Sequence, residues 1–360
     1  MYENCYYISE RKPEDAHLKN ATNKARADVE YTLTELGMKE VNLHIPFQGE
    51  NGSIMASLKE HWNTYKVWQK ALSSLRKGDT LVVQFPSISH CIFLGRLFRE
   101  LRGRGVRVIL LIHDLEKLRF VEAEVPFKTR VRQRFDESSV LKAADLVIAH
   151  NERMIEYLVR EGVPKERLVS LDIFDYRMPE DFVLPTPTYG EDLIIAGNLD
   201  SDKVGYLKDI GRVRGARFQL YGVGYKDEHE NAVYNGSFLP DELPAHLQGS
   251  FGLVWDGTSV DTCAGNYGNY LKYNDPHKTS LYLCCGFPVV VWDRSAISRF
   301  VLEHGAGIAV SSLLEAGVAM ASLSEGEYRA LCQNAAQVSK DLCSGHYLKT
   351  ALAECMGRLG

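Results

Sequence analysis

What this sequence lacks narrows it first. No apolar run approaches the roughly 18 residues that a membrane-crossing helix requires. The 8 cysteines, among them Cys91, Cys263, the adjacent Cys284 and Cys285, Cys332 and Cys355, form no CxxC pair and no ligand-like spacing with histidine. They read as reduced thiols, outside any metal or disulfide role. There is no GxGxxG turn: Gly222-Val223-Gly224 comes nearest and lacks the third glycine, so the dinucleotide fingerprint is missing. A net charge of -5 gives no general pull toward nucleic acid. Internal repeats and low-complexity tracts are absent. The stretch from Met1 to Arg11 is polar after the strand-like Cys5-Tyr6-Tyr7-Ile8, without the basic and then apolar layout of a signal peptide. A cytosolic chain is the expectation.

What is present is an ordinary globular composition, 45% hydrophobic and 25% charged over 360 residues, which suggests two domains at the usual 100 to 200 residues each. Short β-rich apolar runs alternate with helical patterns, the signature of βαβ units and parallel sheets. Residues 41–45, 80–85, 106–113, 145–150 and 167–173 read as one series of strands. A helix over 23–36 buries Ala25, Val29, Leu33 and Leu36 on one face and stops at Gly37. A second series covers 193–196, 218–221, 252–255, 288–292 and 307–310. The proline-rich, aperiodic stretch 179–190 fits neither element type. The expected organisation is an N-terminal domain over 1–178, a linker over 179–190, a C-terminal domain over 191–340, and a helix over 341–360 that packs across both. The class is α/β: two Rossmann-like domains with a cleft between the C-terminal ends of their strands, suited to joining two substrates.

The segment 267–288 is the most informative. Asn274-Asp275-Pro276 is a helix-entry sequence that puts His277 and Lys278 in the first helical turn. Uncapped N–H groups, the positive helix end and a lysine charge together suit a diphosphate, the alternative being a solvated lysine. Gly286 and Pro288 then stop the helix and launch the next strand. His113 and Asp114 follow the strand ending at Ile112 and so face the cleft; either is a candidate base for a transfer reaction. Equally, Asp114 caps a turn while His113 packs. Asp28 and Asp256 are weaker candidates, and His17, His44 and His90 carry no motif. The cluster Arg96, Arg99, Arg102, Arg104, Arg107, Lys117, Arg119, Lys128, Arg130, Arg132 and Arg134 is either a solvated face or a surface for anionic membrane or a lipid-diphosphate acceptor.

The run from Asn269 through Tyr273-Asn274-Asp275-Pro276-His277-Lys278 to Gly286-Phe287-Pro288-Val289-Val290 resembles the donor-site helix of bacterial GT-B glycosyltransferases of the galactofuranosyltransferase and adhesin-glucosyltransferase type. Ala196-Gly197-Asn198-Leu199, Tyr221-Gly222, Asn235-Gly236-Ser237-Phe238 and Gly252-Leu253-Val254-Trp255-Asp256-Gly257 are similar to that family in the same order. So are Asn23-Lys24-Ala25-Arg26-Ala27-Asp28 and Ile112-His113-Asp114-Leu115-Glu116-Lys117-Leu118-Arg119. The resemblance implies a hexosyltransferase that needs no metal and no cofactor. Its donor would be a nucleotide diphosphate sugar, UDP-linked, carrying galactofuranose, glucose or galactose, and its acceptor a glycan, glycolipid or glycoprotein. It further implies inversion. A homo-oligomer is open to such a chain, and its expected place is the cytosol, or the inner membrane face through the basic N-terminal stretch. By the same resemblance Gly197 and Asn198 border the donor phosphates and Tyr221 and Gly222 the nucleotide. Asn269, Tyr270, His277 and Lys278 engage the diphosphate and sugar, and Asn23 and Lys24 approach from the other domain. The alternatives are a sugar-nucleotide epimerase on the same plan and a non-catalytic transferase-like subunit.

Overall fold

Strands that are apolar at nearly every position belong to sheets covered on both faces. The computed structural model describes residues 2–10, 21–44, 54–119 and 137–360. In it, Cys5–Glu10 (β1), Lys39–Leu43 (β2), Thr80–Phe85 (β3), Arg107–Ile112 (β4), Leu146–Ala149 (β5) and Leu168–Ser170 (β6) form one parallel sheet in the order β2-β1-β3-β4-β5-β6. Asp192–Asn198 (β7), Arg217–Val223 (β8), Ala232–Tyr234 (β9), Phe251–Val254 (β10), Val289–Trp292 (β11) and Gly307–Val310 (β12) form a second, also parallel, in the order β12-β11-β10-β7-β8-β9. Each sheet is doubly wound. The strand order reverses between β1 and β3 in the first and between β7 and β10 in the second, and such a reversal opens a crevice at the strands' C-terminal ends. Two Rossmann-like halves are therefore present.

The side-chain period of two distributes each strand between two cores. In β4, Ile109 and Leu111 join one cluster, while Val108, Leu110 and Ile112 join another drawn from the first half except for Tyr270. In β11, Val289 and Val291 enter that first cluster, and Val290 and Trp292 the second half's own. The cluster holding Ile109 and Val289 thus runs continuously from one sheet to the other. It is completed by Val29 and Leu33 of helix Ala21–Glu35, Leu281 and Leu283 of helix His277–Cys284, and Val338, Leu348 and Leu352 of the last two helices. At roughly 1.5–3 kcal/mol per buried aliphatic side chain, this shared layer holds the halves together.

The C-terminal helices divide at Gly345, with φ +74, later than the break expected near residue 340. Helix Glu325–Ser344 starts on a capping box between Ser324 and Glu327. Helix His346–Leu359 turns back to the first half. The Asp175 carboxylate accepts from Tyr347 N (3.2 Å) and Leu348 N (2.8 Å), and Arg358 Nη1 donates to Leu168 O (2.8 Å).

Two strands differ from expectation. β6 is shorter than 167–173 because a 3-10 turn over Lys165–Arg167 precedes it, and the chain leaves the sheet before Asp172, whose φ is +68. β9 has no periodic signal, being three residues at a sheet edge with Val233 and Tyr234 exposed. Position 45 of an expected strand, and Lys128, Arg130, Arg132 and Arg134 of the basic stretch, lie outside the described residues. In the described part of that stretch, Arg102 pairs with Asp145 at 2.7 Å, Arg96 with Glu100 at 2.9 Å, and Arg104 donates to backbone carbonyls of Leu72 and Ser73. Among the described residues no helix is long and apolar enough to cross a membrane.

Gly252 of β10 faces Tyr282, and a Cβ there would lie 2.1 Å from Cγ of the ring. Tyr282 cannot retreat, since its hydroxyl accepts from Ala196 N at 2.7 Å. Gly252→Ala is therefore expected to lower unfolding free energy by about 1–3 kcal/mol through overpacking, measured by urea denaturation.

Candidate active site

The crevice of the second sheet is lined by backbone. Gly197 of β7 pairs with Gly222 of β8, both with positive φ (+127 and +151). A Cβ at 222 would lie 1.7 Å from Gly197 O, so only glycine allows this approach, and the strand ends stay open to a ligand. Across the crevice, helix His277–Cys284 begins after Pro276 without a side-chain cap. Lys278 reaches back from its first turn: Nζ donates to Trp255 O at 3.0 Å and to Asp256 Oδ1 at 2.8 Å. An ammonium has three donors, so one remains for an incoming anion.

Lys24 arrives from the first half. Its Nζ lies 2.7 Å from Asp28 Oδ1, 2.7 Å from Arg177 O and 3.2 Å from Asp241 Oδ1, and 4.9 Å from the centre of the Tyr176 ring. Asp241 is 79% exposed, which makes it the partner most readily displaced. Lys24, Tyr176, Gly197, Gly222, His277 and Lys278 line one solvent-open cavity, bordered on its other side by Tyr221, Phe238 and Leu243.

Of the residues expected to hold a donor, Lys24, Gly197, Tyr221, Gly222, His277 and Lys278 meet in this cavity, and Asp256 sits behind Lys278. Asn23 lines the adjoining groove instead. Asn198 is exposed at the end of β7, accepting from Asp200 N at 2.9 Å. Asn269 Oδ1 accepts from Lys272 at 2.7 Å. Tyr270 is turned away: its buried hydroxyl donates to Asp114 Oδ1 at 3.1 Å and accepts from Leu115 N at 3.1 Å, a tie between the halves.

The two candidate bases are placed differently. Asp114 is held by Arg119 Nη2 at 2.8 Å as well as by Tyr270, so both of its contacts are structural ties. His113 stacks on Phe174 at 5.1 Å, and its Nε2 lies 2.7 Å from Gln84 Oε1. The Gln84 amide nitrogen is directed to Glu30 Oε1 at 3.5 Å. A carbonyl oxygen only accepts, so Nε2 carries the ring proton and Nδ1 keeps a lone pair. Burial, with Arg26, His150 and His277 nearby, holds His113 well below the usual histidine range, leaving it neutral. Around it, Ser9 donates to Glu30 at 3.0 Å, Ser89 N donates to Glu10 at 2.8 Å, and Arg26 donates to Pro86 O. These groups stand at the reversal of the first sheet.

Residues 5–173 match the family of glucosyltransferase 3-like N-terminal domains, and residues 193–355 that of glucosyltransferase 3-like C-terminal domains. The β-1,6-galactofuranosyltransferase WbbI of Escherichia coli (strain K12) is 32% identical over 293 residues, covering 80% of this chain and 82% of that protein. The chain belongs to the glucosyltransferase 3-like family. Glucosyltransferase 3 of Streptococcus gordonii is 25% identical over 79% of this glycosyltransferase and 81% of its own length. Its GT-B fold is shared with the sucrose-phosphate synthase of Thermosynechococcus elongatus (TM-score 0.63, 13% identity, 99% and 98% of the chains). It is shared too with WaaG, a glycosyltransferase of lipopolysaccharide biosynthesis (0.58, 12%, 96% and 98%). The same holds for Anabaena HepE, solved with UDP-glucose (0.58, 12%, 98% and 99%).

Several residues escaped the sequence reading of this glycosyltransferase: Tyr176, Phe174, His150, Gln84 and Glu30. Gln84 and His150 do carry a signal, each being polar at the end of an otherwise apolar strand run. Tyr176 and Phe174 carry none, because they lie in an aperiodic crossing segment. His150 and Asp275 form a further tie between the halves. Asp275 N donates to His150 Nδ1 at 3.0 Å, and Asn151 Nδ2 donates to Asp275 Oδ1 at 2.9 Å and to Tyr273 O at 3.0 Å.

Burial pushes the Asp275 carboxyl up to about 8, with Asn151 pulling the other way, against about 3.9 in an unfolded chain. Between those values the unfolded chain has released a proton that the folded chain keeps, so this group's contribution to stability falls as pH rises. Asp275→Asn removes that titration. The variant should gain on the parent steadily between pH 4 and pH 8, by a few kcal/mol at the upper end, in urea unfolding at several pH values. A pH-independent offset would mean that the carboxyl is ionised in the fold.

Proposed function

We propose that this chain transfers a hexosyl group, galactofuranosyl, glucosyl or galactosyl, from a UDP-linked sugar to a glycan, glycolipid or glycoprotein acceptor, with inversion and without a metal. The observation that carries this reading is the cavity between Lys24 of one half and Lys278, Gly197 and Gly222 of the other. A diphosphate placed there takes the third Lys278 donor, displaces Asp241 from Lys24, and lies at the uncapped start of helix His277–Cys284. The two lysines supply the charge that a cation supplies elsewhere. WbbI, named as a galactofuranosyltransferase, and HepE, solved with UDP-glucose, support the donor class.

His113 is the proposed base. Its Nδ1 takes the acceptor hydroxyl proton as that oxygen attacks the anomeric carbon and the nucleoside diphosphate leaves from the opposite face. Asp114 acts in the tie to Tyr270 rather than on the proton.

A panel of nucleotide sugars, scored by protection against thermal unfolding, tests the donor. UDP-hexoses should raise the midpoint. Lys278→Gln, which keeps a donor for Asp256 and loses the charge, should weaken that binding at least tenfold, about 1.4 kcal/mol. Unchanged affinity would remove Lys278 from the site, and conversion of the sugar nucleotide without an acceptor would replace transfer by epimerisation. His113→Ala should lower kcat by about 10² to 10⁴ while leaving donor affinity near that of the parent. Because His113 stays neutral below the ordinary histidine value, the acid limb of the parent's kcat profile should fall below pH 6.5.

A further inference from the structure

All eight cysteines are free; six are buried, and Cys332 and Cys343 are half-buried. Two of them meet. Cys284 Sγ, at the end of helix His277–Cys284, lies 3.0 Å from Cys343 Sγ, near the end of helix Glu325–Ser344. Their surroundings differ. Cys343 lines the solvent-open groove beside Arg177, Lys340 and Lys349. Cys284 is fully buried, with Tyr176 O at 3.3 Å from its sulfur. The hydrogen bond shared with Cys284 draws the Cys343 thiol down, and the Arg177 guanidinium acts in the same direction. Cys284, by that hydrogen bond and burial, is pushed far up. Arg177 Nε and Nη1 are buried and have no hydrogen-bond partner among the described residues. An accessible, cation-flanked thiolate in contact with a buried protonated thiol is the arrangement of an attacking and a resolving cysteine.

We propose that Cys343 and Cys284 form an oxidation site that closes to an intramolecular disulfide on meeting hydrogen peroxide. The Cys343 thiolate attacks one peroxide oxygen, the O–O bond breaks, hydroxide leaves, and Cys343 becomes a sulfenic acid. Cys284 sulfur then attacks the Cys343 sulfur. The S–O bond breaks, and the departing hydroxide takes the Cys284 proton as water. Two thiols and one peroxide give one disulfide and two waters. The sulfurs need to approach by about 1 Å to reach a bond of 2.03–2.05 Å. The bridge ties the helix bearing Lys278 to the C-terminal helix pair. This inference does not depend on the donor or acceptor.

The full chain, treated with hydrogen peroxide, quenched with iodoacetamide and digested, provides the test by peptide mass. A cross-linked pair containing Cys284 and Cys343, two hydrogens lighter and reversed by dithiothreitol, is expected. Since one tryptic peptide holds both Cys284 and Cys285, the cross-link should persist in C285S and vanish in C343S. Without peroxide at pH 7, limiting iodoacetamide should label Cys343 ahead of Cys332, whose thiol burial pushes up. A cross-link through Cys285 or Cys332, Cys343 carried to sulfinic acid unlinked, no oxidation at all, or faster labelling of Cys332 would each overturn the proposal. The measurement on the parent protein stands whether or not either variant folds.

Discussion

Loss of water at the seam between the two sheets shifts several of the carboxyls and histidines buried there away from their charged forms. Burial pushes Asp28 up to about 6, Asp175 to about 7 and Asp275 to about 8, and holds His150 and His277 down near 4. The same cost acts on Lys278, whose pKa is lowered by burial even with Asp256 against it. With histidines neutral and several carboxyls reluctant to ionise, the charge left at the seam lies in a few pairs such as Lys24–Asp28 and Lys278–Asp256. An anion entering beside Lys24 and Lys278 would then dominate the local field, and its interactions would be screened less than on an open surface.

Neutrality also determines how the halves are joined. Hydrogen bonds such as Tyr270 to Asp114 and Asn151 to Asp275 cross the seam, and the apolar layer beneath them is continuous. The polar ties give direction and the apolar layer supplies most of the energy. A domain rotation that opens the cleft has to break the former while sliding over the latter. Such an interface allows small rearrangements around a bound substrate more easily than full separation.

Much of the frame was legible in the sequence because it follows from local rules. Strands apolar on both faces, helices with one apolar face and the glycine after a strand end are each written within a dozen residues. The meeting of His277 and Lys278 with Gly197 and Gly222 follows once two parallel sheets are drawn. What was not legible is set by pairs far apart in the chain. Nothing near Tyr270 says that its hydroxyl meets Asp114 rather than a donor, and nothing near Asp175 says that it caps a helix starting at His346. Gln84 beside His113 was missed for the same reason, since register between β3 and β4 brings them together.

The return of helix His346–Leu359 to the first half has a consequence for synthesis. Its residues Leu348, Leu352 and Cys355 cover the same layer as Val82, Ile109 and Ile148 of the first sheet. The whole second half is translated in between. As the first sheet leaves the ribosome, helix Ala21–Glu35 covers only part of one of its faces, and the rest stays open until helix His346–Leu359 emerges. The order in which the polypeptide is made is therefore not the order in which its parts become complete: the half that begins first is sealed last.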